Sequence, residues 1–295
     1  MRVLTLGRTH LHAVTTLMRD LWPYDRFRLA LVEEKLYGDP SGEEATAFGI
    51  DGDGGIVAFV AVAFAPSAGK CWVKLGAIAM AVRGRGCLHA LLSHAERWAR
   101  ARGARAMRLM DHPGNYWTPG GDVRYAEALE ALGHMGWSFA GENRSLACPT
   151  RPRGSAPALP AGVSLRRATA ADADAVIALA TRFLPAWGWE LRRALACRPS
   201  AVHLAVAGDR LLAFAAHDGN NRGTGSFGPA ATLRAWRGKG LGELLLRACL
   251  RDTATAPGGR PRRLVTIPWV STTTMYARVG AYEFGRYRVL EKSLL

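Results

Sequence analysis

In "RGKGLGELLL" (Arg237–Leu246) three glycines alternate with Arg237, Lys239 and Leu241, directly ahead of a leucine-rich run. Leu241, Leu244, Leu245 and Ala248 recur at helical spacing, and Phe227–Leu233 before them reads as a strand. Glycines at a strand-to-helix turn leave backbone N–H groups open to an anion, and the helix N-terminus adds partial positive charge. Arg237 and Lys239 supply full charges. Leu233, Arg237, Gly238, Lys239, Gly240, Leu241 and Gly242 therefore form a candidate pyrophosphate cradle. The spacing fits neither a Walker A loop nor the dinucleotide-binding glycine pattern with a downstream acid.

The stretch occurs twice. "RGRGCLHALL" (Arg83–Leu92) repeats it with Leu88 opposite Gly242, so Arg83, Gly84, Arg85 and Gly86 make a second, weaker candidate site. On either side of "CPTRPRGSAPALPAG" (Cys148–Gly162), which reads as a linker, the same order of elements recurs. Short alternating strands ("MRVLTL", "GVSLRRAT") precede helical stretches, then apolar hairpins (Gly54–Pro66; Ala201–Gly219), then the glycine loops and their helices. The expected division is 1–147, a linker at 148–162, and 163–295.

The segment Arg237-x-x-Gly240-x-Gly242 resembles the R/Q-x-x-G-x-G/A signature of the GNAT acetyltransferase family, and "VTIPWVSTTTMYARVGAY" (Val265–Tyr282) resembles that family's strand, helix and Tyr-x-x-x-Gly ending. The resemblance covers nearly the whole chain as a tandem pair. It implies a mixed α+β fold in each half, a twisted mixed sheet flanked by helices whose fourth and fifth strands splay apart. It also implies acetyl-CoA as the acetyl donor, with no metal, and an N-acetyltransferase acting on a primary amine. Tyr276 matches the position that protonates the departing thiolate, the general acid; the alternative is a core tyrosine anchoring its helix. Leu132 stands opposite it in the first half, so the C-terminal half is expected to hold the working site and the N-terminal half to be degenerate. A non-catalytic acyl-CoA-binding or regulatory protein is the alternative reading of the whole chain.

Other residues carry weaker chemistry. The fourth strand, "SFGPAATLRAW" (Ser226–Trp236), has no carboxylate, which leaves His217 and Asp218 as candidates for the base or for orienting the acceptor; a plain turn of Asx and glycine residues is the favoured reading of "HDGNN". Trp269 replaces the family's usual Asn, and with Trp187 and Trp189 it could wall an acceptor pocket or pack in the core. In "DHPGNYWTPGGDVRY" (Asp111–Tyr125), Tyr116, Trp117, Asp122 and Tyr125 could contact an acceptor or build a structural turn.

Composition bounds the partners. A net charge of +15 favours anionic ligands, but the arginines are scattered through a chain that is 49% hydrophobic. The basic stretches "RPRG", "LRRA" and "GGRPRRL" lack interleaved aromatics, so a small-molecule or peptide amine is expected as partner, not nucleic acid. Five cysteines without metal spacing and an N-terminus without an apolar block point to a cytoplasmic protein, as monomer or homodimer, with no membrane partner.

Overall fold

The computed structural model describes residues 2–37, 42–52, 54–255 and 261–295. In chain order the elements are β1 (Val3–Thr5), α1 (Leu11–Leu21), α2 (Leu29–Tyr37), β2 (Glu44–Gly52), β3 (Gly55–Ala65), β4 (Lys70–Ile78), α3 (Cys87–Arg100), β5 (Ala106–Leu109), β6 (Gly121–Asp122), α4 (Ala126–His134) and β7 (Ser138–Pro149). There follow β8 (Ser164–Arg167), α5 (Ala173–Thr181), α6 (Trp187–Leu195), β9 (Val202–Ala207), β10 (Arg210–His217), β11 (Phe227–Thr232), α7 (Leu241–Thr255), β12 (Leu264–Ile267), α8 (Thr274–Arg278) and β13 (Tyr282–Ser293).

Two compact units result. The N-terminal unit comprises Met1–Glu142 together with Tyr287–Leu295, and the C-terminal unit comprises Asn143–Arg286. This division departs from the expected 1–147 and 163–295, because each unit takes its last strand from the other half of the sequence. In the N-terminal unit the ladder runs β1-β2-β3-β4-β5-β13, with β6 also on β13. Glu291 pairs with Arg108 and Ser293 with Ala106. Glu291 also bonds Lys70 and Arg108 at 2.8 Å each, and Lys292 bonds Glu96 at 2.6 Å. Leu290 and Leu294 join the core made by α1, α3 and the sheet.

In the C-terminal unit β8, β9, β10 and β11 form a four-stranded sheet, and β12 pairs with β7 from Leu264↔Pro149 to Ile267↔Leu146. Leu146 and Cys148 enter the core beneath α7, while a second apolar cluster lies under α5 and α6.

The splay between fourth and fifth strands is present in both units. β4 and β5 run parallel from Lys70↔Ala106 to Val73↔Leu109, after which β4 leaves β5 and continues to Ile78 paired with β3 only. β11 and β12 share no ladder among the described residues. The fourth strands also bulge at matching places. Across β3 and β4 the register passes from Ala61↔Leu75 to Val62↔Val73, which leaves Lys74 as the extra residue. Across β10 and β11 it passes from Ala215↔Ala230 to His217↔Phe227, which puts the extra residue within Gly228–Pro229. The offset that carries Arg83 to Arg237 carries Lys74 to Gly228. A bulge bends its strand and ends regular pairing, which suits a sheet that must open beside it.

Candidate functional site

Both glycine loops have the same backbone. Gly84 and Gly86 have φ of 73° and 77°, and Gly238 and Gly240 have φ of 77° and 79°. Left-handed φ at two alternating positions is costly for any residue with a Cβ, and this is why glycine recurs at that spacing. Arg237, Gly238 and Lys239 are exposed, whereas Leu241 is buried and offers the site only its backbone. The Arg237 Nε donates to the Thr232 carbonyl at 3.3 Å, and the Lys239 ammonium lies 4.4 Å from the centroid of Trp236. Leu233 donates its N–H to the Leu212 carbonyl at 2.9 Å and packs toward α5 and α6.

The contrast between Gly242 and Leu88 has a packing cause. A Cβ on Gly242 would stand 3.1 Å from the Met275 sulfur, so the glycine lets α8 approach the first turn of α7. Leu88 instead packs onto the core of its own unit, and Gly84 and Gly86 face open space. Leu88 therefore has a packing role in the N-terminal core. Gly242→Leu should force α8 outward, lowering stability by about 1–3 kcal/mol and displacing Tyr276. Urea denaturation, with near-ultraviolet dichroism reporting the tyrosine environment, checks this.

The linker contributes to the C-terminal loop. Arg247, buried and ion-paired with Glu243 at 3.0 Å, donates to the carbonyls of Arg153, Gly154 and Ser155. Pro157 then lies where a Cβ on Gly240 would come within 2.7 Å.

Tyr276 sits on α8 with its ring 6.2 Å from that of Phe227, edge to face. Its hydroxyl has no hydrogen-bond partner among the described residues. Burial, assisted by the nearby Cys148 thiol, pushes its pKa up to about 12, so the hydroxyl keeps its proton at neutral pH. Leu132, its counterpart, is buried in the N-terminal core.

His217 is not placed as a free base. Its Nδ1 lies 2.9 Å from Asp218 Oδ2 and its Nε2 lies 3.4 Å from Asp252 Oδ2, so both ring nitrogens face carboxylates. Asp252 also takes His203 Nε2 at 2.7 Å and both terminal nitrogens of Arg167 at 2.6 and 2.8 Å. Asp218, at φ 56°, accepts the Gly225 N–H at 2.7 Å and closes the turn between β10 and β11. Burial alone would lower the His217 pKa, but the hydrogen bonds and charges of Asp218 and Asp252 outweigh it and raise it. Burial likewise opposes ionisation of Asp252, and its hydrogen bonds to His203, His217 and Arg167 hold it well below the carboxylate range. Asp218 is lowered too, its bond to His217 overcoming burial. The cluster is a charged brace joining β8, β9, β10 and α7.

The linkage sign follows. A raised histidine pKa contributes stability in full below the unfolded value of about 6.5, and the contribution fades as pH rises through the folded value. The lowered aspartates contribute above about 3.9 and lose their contribution on acidification. The brace is therefore strongest between roughly pH 4 and 6.5. Asp252→Asn should cost about 1.5–3 kcal/mol in that window and flatten the alkaline decline, as followed by urea denaturation at several pH values.

The tryptophans are dispersed. Trp187 packs against the α5 and α6 core with Phe183 at 6.1 Å, Trp189 carries the Arg193 guanidinium at 5.8 Å, and Trp269 is exposed at φ 54°. Trp187 is thus a packing residue. Part of the basic stretch "GGRPRRL" lies outside the described residues. No metal-ligand cluster and no helix long and apolar enough to cross a membrane occur among the described residues. Sequence reasoning missed Lys74, 2% exposed at the β4 bulge, because neither charge nor spacing marks a bulge.

Residues 11–116 match the model of the acetyltransferase (GNAT) family. Solved structures extend the likeness to both halves. The tandem GNAT protein from the clavulanic acid biosynthesis pathway superposes with a TM-score of 0.74 at 17% identity, covering 100% of this chain and 98% of that one. A GCN5-related N-acetyltransferase from Sphaerobacter thermophilus gives 0.71 at 18% identity, covering 99% and 95%. The glucosamine N-acetyltransferase region of a fungal multi-domain GH3 β-N-acetylglucosaminidase gives 0.79 at 17% identity, covering 98% of this chain but 38% of that one. Among curated proteins, none matches the chain in sequence. The family match is confined to the first half of the chain, at residues 11–116. The whole length of the chain has the fold of a tandem GNAT protein.

Proposed function

We propose that the chain is an acetyl-CoA-dependent N-acetyltransferase that passes an acetyl group to a primary amine of a small molecule or peptide, with its working site in the C-terminal unit. The observation that carries this reading is the placement of α8. Met275 seats it on Gly242 at the first turn of the loop helix, and the next residue, Tyr276, holds a protonated hydroxyl with no hydrogen-bond partner among the described residues. In this reading the N–H groups from Gly238 to Gly242 and the charges of Arg237 and Lys239 hold the pyrophosphate. Acetyl-CoA supplies the activated acyl group. Tyr276 holds its proton for the sulfur as the amine displaces it, which stabilises charge that develops only in the transition state.

A second reading has a specific observation behind it. His217 is committed to two carboxylates, so a unit that binds acyl-CoA without turning it over, as a sensor or regulator, is consistent with the same loop. Release of free CoA across a panel of primary amines, beside equilibrium binding of acetyl-CoA, separates the two. Binding with amine-dependent release supports the transferase, and binding without release for any amine supports the sensor.

A further inference from the structure

In the N-terminal unit a groove of about 480 Å³ lies between α4 and β13, within the range of about 300–1,000 Å³ that small-ligand sites occupy. Leu129 and Leu290 give it apolar walls, Gly133 borders it in the last turn of α4, and Trp137 and Arg288 bring donors to it. Neither packing nor backbone conformation calls for glycine at Gly133. It is helical, it is not among the glycines with left-handed φ, and a Cβ built on it meets nothing within 4 Å. Glycine is among the least favourable residues inside a helix, and what its missing side chain does here is keep the groove clear.

Both donors lack an acceptor. Trp137 is 4% exposed, and its indole N–H, closed off from solvent, has no hydrogen-bond partner among the described residues. A buried N–H left unpaired costs free energy that an acceptor would recover. The Arg288 guanidinium likewise makes no ion pair or hydrogen bond among the described residues. The arginines on the neighbouring strand and turn are committed, Arg108 to Asp111 and Glu291, and Arg124 to Asp122. Glu130 is the carboxylate on the groove lining, but its side chain is 75% exposed at the rim and faces His134 at 3.8 Å.

We propose that this groove is a binding site for a small carboxylate carrying a short alkyl chain. One oxygen, entering the closed end of the groove, accepts from the Trp137 indole; the other accepts from Arg288, and the chain lies on Leu129 and Leu290. One guanidinium and one neutral N–H match a single negative charge, whereas a phosphate dianion brings more charge and more acceptors than this lining meets. A primary alcohol of the same length keeps the apolar contact and loses the charge-assisted bond. The site lies within the N-terminal unit and does not depend on the transfer reaction proposed for the C-terminal unit, so its test reads binding without turnover.

The test titrates the full chain with sodium hexanoate, 1-hexanol and inorganic phosphate at constant ionic strength. Calorimetry gives the affinities, and in ¹⁵N-labelled protein the Trp137 indole signal, assigned by its loss in Trp137→Phe, reports the new hydrogen bond. Hexanoate should bind saturably and move that signal, hexanol should bind at least about ten-fold more weakly, and phosphate should not displace hexanoate. Arg288→Met should remove the preference for hexanoate over hexanol, while Arg288→Lys, which keeps the charge, should retain it. Gly133→Leu, which favours the helix and fills the groove, should weaken hexanoate at least about ten-fold. Should that variant not fold, Arg288→Met, at an exposed position, still decides. Equal binding of hexanoate and hexanol, no saturable hexanoate binding, an unmoved Trp137 signal, displacement by phosphate, an unchanged preference in Arg288→Met, or an unchanged affinity in folded Gly133→Leu each overturn the proposal.

Discussion

Residues 163–295 expressed alone should not fold. This fragment keeps the glycine loop, α7 and Tyr276 but lacks β7, and β12 has no other ladder partner among the described residues. Leu146 and Cys148, 2% and 0% exposed, would leave the core beneath α7, with a loss of roughly 1.5–3 kcal/mol for a leucine alone. Arg247 would also lose the carbonyls of Arg153, Gly154 and Ser155 while staying buried beside Glu243. Together these exceed half of a typical domain's stability of about 5–15 kcal/mol. The fragment 1–147 should fail for the reciprocal reason, since Leu290, Leu294 and the Glu291 ion pairs come from the chain's end. Circular dichroism melting checks both. A fragment 143–286, which follows the observed unit, should melt cooperatively at a higher temperature than 163–295, and the reverse order would refute the exchange of strands.

Tyr276→Phe should lower turnover by about 10²-fold with little change in acetyl-CoA affinity. The side chain's volume is retained, its ring contact with Phe227 survives, and the hydroxyl makes no hydrogen bond among the described residues that could be lost. What disappears is a proton available to the leaving sulfur. Since burial pushes the wild-type pKa up to about 12, the acid stays protonated throughout the assay range and gives no alkaline limb of its own near neutrality. A variant with unchanged kcat returns Tyr276 to a packing role. A variant with unchanged kcat but a raised KM for acetyl-CoA makes it a binding residue.

Local signals made the loops legible. Alternating glycines need left-handed φ, a following leucine run needs a helix, and both needs are written in consecutive residues. Tyr276 was legible through the Tyr-x-x-x-Gly ending it forms with Gly280, which resembles the family's. The role of His217 was not, because Asp252, which ties up its second nitrogen, lies thirty-five residues on along α7. The strand exchange was invisible because β7 and β13 have the alternation of any half-buried strand, and alternation does not name a partner. Gly242 shows a different limit. Its missing side chain was read as room for phosphate, and the sequence did not disclose that a Cβ there would also meet the Met275 sulfur.

The central claim is that acetyl-CoA is held by the Arg237–Gly242 loop of the C-terminal unit. Hydrogen exchange followed by mass spectrometry on the full chain, with and without saturating acetyl-CoA, tests it most directly, because exchange reports on the backbone amides assigned to the pyrophosphate. Slowed exchange from Gly238 to Glu243 and across Thr274–Arg278 is the expected result. Protection confined to Gly84–Leu88, or none in either loop, would contradict it.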